Sequence, residues 1–136
     1  MTPEFNVEIP DVYREEAKFV SDLVGDELYT NYNLHEGVTP MHKDDLVEMY
    51  LNVNWRAALA VTGAAGLPEL SKAGNVLRKS TAVRLKVRLP PTKNAKEALE
   101  EFKSIVTKDV PYGAKVNITE CLNGTGWAAK TLEPWL

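Results

Sequence analysis

Gly74-Asn75-Val76-Leu77-Arg78-Lys79-Ser80-Thr81-Ala82-Val83-Arg84-Leu85-Lys86-Val87-Arg88-Leu89-Pro90-Pro91-Thr92 is the stretch whose reading decides the fold. A turn at Ala73-Gly74-Asn75 opens it. From Thr81 the chain alternates strictly, with Thr81, Val83, Leu85, Val87 and Leu89 on one face and Ala82, Arg84, Lys86 and Arg88 on the other. A period of two marks a half-buried strand. Pro90-Pro91 end it, because a proline nitrogen has no hydrogen to give to a ladder. The strand predicted over 80–89 therefore has one apolar face and one face with three cations.

Downstream, Thr92 or Asn94 can cap a helix over 94–108. Ala95, Ala98, Leu99, Phe102, Ile105 and Val106 repeat at three and four, giving one apolar stripe. Lys96, Glu97, Glu100, Glu101 and Lys103 fall on the other side as a solvated face. Pro111-Tyr112-Gly113 makes a turn. Val116, Ile118 and Leu122 then alternate with Lys115, Asn117 and Cys121 in a final predicted strand. The tail, Asn123 to Leu136, is glycine-rich and then aromatic, and reads as a chain leaving the domain rather than as a natural terminus.

Upstream, Trp55 to Thr62 is short and apolar, closed by Gly63, and reads as a strand. Residues 11–25 predict a helix with Asp11 as N-cap, apolar positions at Tyr13, Ala17, Val20 and Val24, and Gly25 as its stop. Residues 26–39 are polar and predict no element. A second helix is expected from Thr39-Pro40, with the proline at its first position and Leu46, Val47, Met49, Tyr50 and Leu51 buried. Phe5, Val7 and Ile9 alternate with Asn6 and Glu8, which fits either a short strand or an extended lead-in. The order strand, strand, helix, strand predicts an α+β two-layer sandwich: an antiparallel sheet with helices on one face, the split β-α-β being the nearest standard motif.

The chain has 136 residues, enough for a single domain over 1–136, with 44% hydrophobic and 26% charged residues. A net charge of −3 does not favour a nucleic-acid partner, and the cationic strand lacks the interleaved aromatics of a stacking platform. The single cysteine, Cys121, excludes an intrachain disulfide and points to a reducing, cytoplasmic setting. No apolar run approaches the ~18 residues of a membrane span, and the N-terminus lacks a signal-peptide layout.

Catalytic groups are sparse. His42-Lys43-Asp44 is the one His-x-Asp, but a metal site takes three or four converging ligands, and the only other histidine, His35, lies in the polar loop. Cys121 has no histidine placed to activate it and reads as a packed or partly exposed thiol. The glycines at 63, 66 and 74 fit neither phosphate-loop spacing. No catalytic or metal-ligating residue is expected in this chain.

Five segments nevertheless stand together in order: Trp55-Arg56-Ala57-Ala58-Leu59-Ala60-Val61-Thr62-Gly63-Ala64-Ala65-Gly66-Leu67-Pro68, Ala73-Gly74-Asn75-Val76-Leu77-Arg78, Arg88-Leu89-Pro90-Pro91-Thr92, Pro111-Tyr112-Gly113-Ala114-Lys115-Val116, and Gly126-Trp127 with Pro134-Trp135-Leu136. In order and spacing they resemble the lid, or dimerisation, domain of the co-catalytic zinc metallopeptidases, the family of glutamate carboxypeptidase, carnosinase-type dipeptidases, aminoacylase and succinyl-diaminopimelate desuccinylase. The resemblance covers 55–136 well and the N-terminal helical part, 1–54, loosely.

It implies a bilobed parent enzyme. One lobe holds two zinc ions and hydrolyses an amide. The other, a ferredoxin-like β-α-β-β-α-β insertion, closes over substrate and forms the homodimer. The chain corresponds to that second lobe, so zinc, a catalytic lobe and a second subunit are implied as belonging to the parent. Asn75 matches a lid asparagine that reaches substrate near the scissile bond. Arg88 matches an arginine on the following strand with a mainly structural role, and Arg78 is added as a substrate-binding candidate from its place at the same turn. Arg78-Lys79 departs from the family's common Arg-Pro, and Arg56-Ala57-Ala58 from Arg-Pro-Thr. No convincing match to the lid's central first strand is present, so either Phe5-Val7-Ile9 fills that place or a strand is missing. An alternative of another class is a stand-alone small-ligand-binding or regulatory α+β module.

Overall fold

A computed structural model describes residues 3–130. The Pro134-Trp135-Leu136 part of the resemblance lies outside the described residues. Among the described residues the architecture is α+β: four α-helices and one antiparallel pair of strands. Helix α1 spans Asp11–Val24, α2 Glu27–Thr30, α3 Leu46–Asn54 and α4 Ala95–Thr107, with strands β1 at Ala58–Ala65 and β2 at Ala82–Arg88.

Helix α1 forms where the periodicity places it, although Pro10 and not Asp11 takes the N-cap position. Asp11 instead opens the first turn, where a carboxylate favours the positive end of the helix dipole. Gly25 stops the helix at φ 57°, its N–H donating to the Ser21 carbonyl at 2.9 Å. The next stretch departs from expectation: Glu27–Thr30 winds into α2, and the helix expected from Pro40 starts at Leu46. Asp45 is the cap, its Oδ1 accepting from the Glu48 N–H at 2.9 Å. Before it the chain turns sharply at His42, whose φ is 58°.

Trp55 is the C-cap of α3 and not the first residue of a strand. Its ring lies 4.5 Å from that of Tyr13, and with Ile9, Ala17 and Leu51 it forms the buried centre where α1 crosses α3. Val7, Tyr13, Val47, Tyr50 and Ala128 pack around it. The Tyr13 hydroxyl donates to the Ala129 carbonyl at 2.6 Å, which ties the far end of the chain to the helices. Pro3–Phe5 is a short 3-10 turn, so Phe5, Val7 and Ile9 do not join the sheet. Phe5 meets Phe102 of α4 edge-on at 6.5 Å, and Lys93 ties the two regions by donating to the Glu4 carbonyl at 2.8 Å while pairing with Glu101 at 3.0 Å.

Helix α4 is capped by Asn94, whose Oδ1 accepts from Lys96 and Glu97, and buries Ala95 and Ala98. In the hairpin, Leu59 faces Val87 and Val61 faces Leu85. An irregularity between Val61 and Gly63 then lets Gly63 face Arg84 and Ala64 face Val83. Strand β1 thus runs through Gly63, three residues later than the sequence suggests, because Trp55 is drawn into the helical core. Helix α4 makes almost no contact with either strand. Every residue of β1 is exposed, and in β2 only Leu85 and Val87 are partly covered.

The predicted last strand also differs. Among the described residues, 115–130 makes no backbone–backbone hydrogen bond. Its course is nonetheless set: Glu120 meets Arg84 at 3.0 Å, Gly126 lies against Pro91, and Ala128 reaches the helical core.

The fold is open as a result. A compact monomer of 15.1 kDa exposes about 7,100 Å²; this chain exposes 11376 Å². The excess is about 4,300 Å². Buried residues gather at α1/α3 and around Phe5 and the start of α4, and the apolar side of the hairpin is largely exposed, with only Leu85 and Val87 partly covered.

Candidate functional site

The loop between β1 and β2 carries the residues singled out in the sequence. It leaves β1 through Gly66 at φ 87°, where a Cβ would stand 2.5 Å from the Ser80 carbonyl oxygen. Only glycine fits this approach, and it draws the two ends of the loop together. A 3-10 turn at Leu70–Lys72 follows, and the Val76 N–H donates to the Gly74 carbonyl at 2.8 Å. That short bond presents Asn75 at the tip of a tight bend. Asn75 and Arg78 are both exposed, and among the described residues neither side chain takes a hydrogen bond or ion pair. Leu70 and Leu77 beside them are almost wholly solvated, at 95% and 97%.

Arg88 sits at the other end of β2, facing Ala58. Six residues of strand separate it from the loop end of β2, about 20 Å at 3.3 Å each. The structure therefore brings Asn75 and Arg78 into one loop and leaves Arg88 apart. Arg84, Lys86 and Arg88 share a sheet face with small residues of β1, Gly63, Ala60 and Ala58. Only Arg84 of these three has an ionic partner among the described residues, Glu120.

His42 and Cys121 stand apart from this loop. His42 lines a shallow apolar recess of 230 Å³ between α2, α3 and the loop joining them, with Leu28, Tyr32, Leu34, Met41 and Val53. Tyr29, also on its wall, has its phenol pKa raised, first by partial burial and then by its hydrogen bond to Asp26 and the charges of Asp26 and Asp44. Sequence reading missed this recess. Its signal was the apolar set Leu28, Tyr32, Leu34 and Met41 within a stretch otherwise polar enough to read as loop. Cys121 is an exposed free thiol. Among the described residues no three His, Cys, Asp or Glu side chains gather as a metal site, and no helix is long and apolar enough to cross a membrane.

No model of a known protein family matches the sequence, and none of the curated proteins compared with it matches either.

Proposed function

We propose that the chain is a non-catalytic lid and dimerisation domain of a zinc-dependent peptidase or amidohydrolase, positioning substrate at Asn75 and joining subunits. The observation that carries the proposal is the open hairpin. It offers an apolar sheet side and a projecting Gly74-Asn75-Val76 bend. An exposed apolar side of this kind marks a surface for another body to cover. The five-segment resemblance supplies the kind of body: a second lid and a catalytic lobe that holds the zinc. In this reading the complete domain is ferredoxin-like, β-α-β-β-α-β, and the chain forms a homodimer in the cytoplasm. Asn75 and Arg78 reach substrate when the lobes close, and Arg88 braces the far end of the strand.

A chimera tests this directly. Residues 55–136 replace the corresponding part of the lid in an active family member, which keeps its own first strand, first helix and catalytic lobe. The expected chimera is dimeric and active, and Asn75→Ala lowers its kcat while leaving it dimeric. A folded, dimeric chimera indifferent to Asn75→Ala would contradict the assignment.

The recess at α2/α3 favours a second reading, a small-ligand-binding module. At 230 Å³ it falls below the roughly 300–1,000 Å³ of ordinary ligand pockets, so it ranks behind the first.

A further inference from the structure

Helix α1 has two sides with apolar residues, and the core uses only one. Ala17 and Ser21 are buried, Ala17 at the centre of the α1/α3 cluster. Val12, Phe19 and Leu23 are spaced seven and four apart, which places them together on the opposite side of the helix. Phe19 and Leu23 are 69% and 74% exposed. Glu15 and Glu16 stand one turn before Phe19 and Asp22 one turn after it, all exposed. The outward side of α1 is therefore an apolar ridge set between carboxylates.

The hairpin has the complementary character. Leu59, Val61 and Val83 on its apolar side are open, and among the described elements no helix makes more than a glancing contact with either strand. A sheet with one apolar face is ordinarily closed by a layer of helix, and that layer is absent. The charges favour α1 for it. Residues 58–88, the hairpin with its loop, carry six basic residues and one acidic, whereas residues 11–26 carry five acidic and two basic. Two hairpins placed together would oppose like charges; α1 placed on a hairpin brings opposite charges together. Within one chain α1 is packed on α3 and has no such contact with the hairpin, so the ridge and the face it fits meet between two chains.

We propose that α1 of one copy covers the apolar side of the hairpin of a second copy, and that the second copy returns the same contact. The result is a two-fold dimer in which each chain supplies the helical layer that the other's hairpin lacks. Val12, Phe19 and Leu23 lie on Leu59, Val61 and Val83, and Glu15, Glu16 and Asp22 lie toward the basic residues of β2 and its loop. This contact deepens the dimerisation reading above and rests on it; it is independent of the zinc-enzyme part of that reading.

The test compares four samples of the 136-residue chain by sedimentation equilibrium: wild type, F19K/L23K, V61D/V83D, and an equal mixture of the two variants. All four positions are more than half exposed, and far-ultraviolet circular dichroism checks that each variant keeps its fold. Each variant alone is expected to self-associate at least about a hundredfold more weakly than wild type, as the loss of two buried apolar side chains per contact implies. The mixture is expected to recover a dimer, because one of its two contacts is wild type on both sides and the other pairs lysine with aspartate. In the wild type, hydroxyl-radical oxidation of Phe19 and Leu23 should fall as concentration rises, which reads the contact without any substitution. Wild-type self-association in F19K/L23K, with V61D/V83D monomeric, would overturn the proposal and leave the dimerisation reading standing. A monomeric wild type would overturn both. A mixture that stays monomeric, or oxidation of Phe19 and Leu23 that is the same at every concentration in a wild type that dimerises, would overturn the proposal alone.

Discussion

Leu51 and Val61 are both apolar residues in regular elements, yet their surroundings predict opposite consequences for truncation. Leu51 is 1% exposed at the centre of the α1/α3 cluster, against Ile9, Ala17 and Trp55. Leu51→Ala removes buried methyl groups and leaves a cavity between helices tied together by few other contacts. The cost is about 3–5 kcal/mol, a large share of the roughly 5–15 kcal/mol that a whole domain has. Val61 is 63% exposed on the open hairpin, so Val61→Ala in the dilute monomer changes stability by no more than about 0.5 kcal/mol. Once another molecule covers the hairpin, the same substitution removes two buried methyls and costs about 1.5 kcal/mol. Urea unfolding followed by far-ultraviolet circular dichroism, at the lowest workable protein concentration and again about a hundredfold higher, separates the cases, because only an assembly gains stability with concentration. The expected result is a large, concentration-independent loss for Leu51→Ala and a loss for Val61→Ala that emerges only at high concentration. A Val61→Ala loss equal to that of Leu51→Ala in dilute solution would show that the hairpin is already part of a closed core, and would refute the reasoning.

Three further outcomes follow from local geometry. Asn94→Ala removes the acceptor for two N–H groups at the start of α4 and lowers stability by about 1 kcal/mol, measurable in the same urea experiment; no change would mean the cap is replaced by solvent. Gly66→Ala places a Cβ 2.5 Å from the Ser80 carbonyl at a φ of 87°, so the amides of β1 and β2 should exchange faster with deuterium while those of α1 and α3 do not. The Lys103 ammonium has its pKa raised above the ordinary 10.5, first by its hydrogen bond to Glu100. That pair therefore contributes below pH 10.5 and is lost as pH rises through the raised value. The difference in melting temperature between wild type and Lys103→Met is expected to be small at neutral pH and to vanish on the alkaline side; a difference that grows there would contradict the sign.

What could be read from the sequence divides along a physical line. Helices α1 and α4 and strand β2 were legible because their periodic apolar positions, glycine stop, asparagine cap and proline terminator all act within the segment itself. Pro40 suits the first position of a helix, but α3 starts later, at the short-range capping signal of Asp45-Leu46-Val47-Glu48. Trp55 looked like strand material because it is aromatic and followed by apolar residues. Only the tertiary contact with Tyr13 makes it the end of a helix. The alternation of Val116, Ile118 and Leu122 was visible, but a strand needs a neighbour, and among the described residues none pairs with it. Of the candidate site residues, Asn75 and Arg78 share the exposed loop that their spacing implied. Arg88 is separated from them by the length of β2, a consequence of strand geometry that its place in the sequence already contained.

The central claim is that the exposed hairpin is an interaction surface and that the isolated chain associates through it. Leu59, Val61 and Val83 on its apolar side are 50%, 63% and 56% exposed. Sedimentation equilibrium over a wide concentration range tests this most directly. The expected result is a mass of twice 15.1 kDa or more that falls when Val61 and Val83 are replaced by aspartate; a tight monomer at high concentration would contradict it.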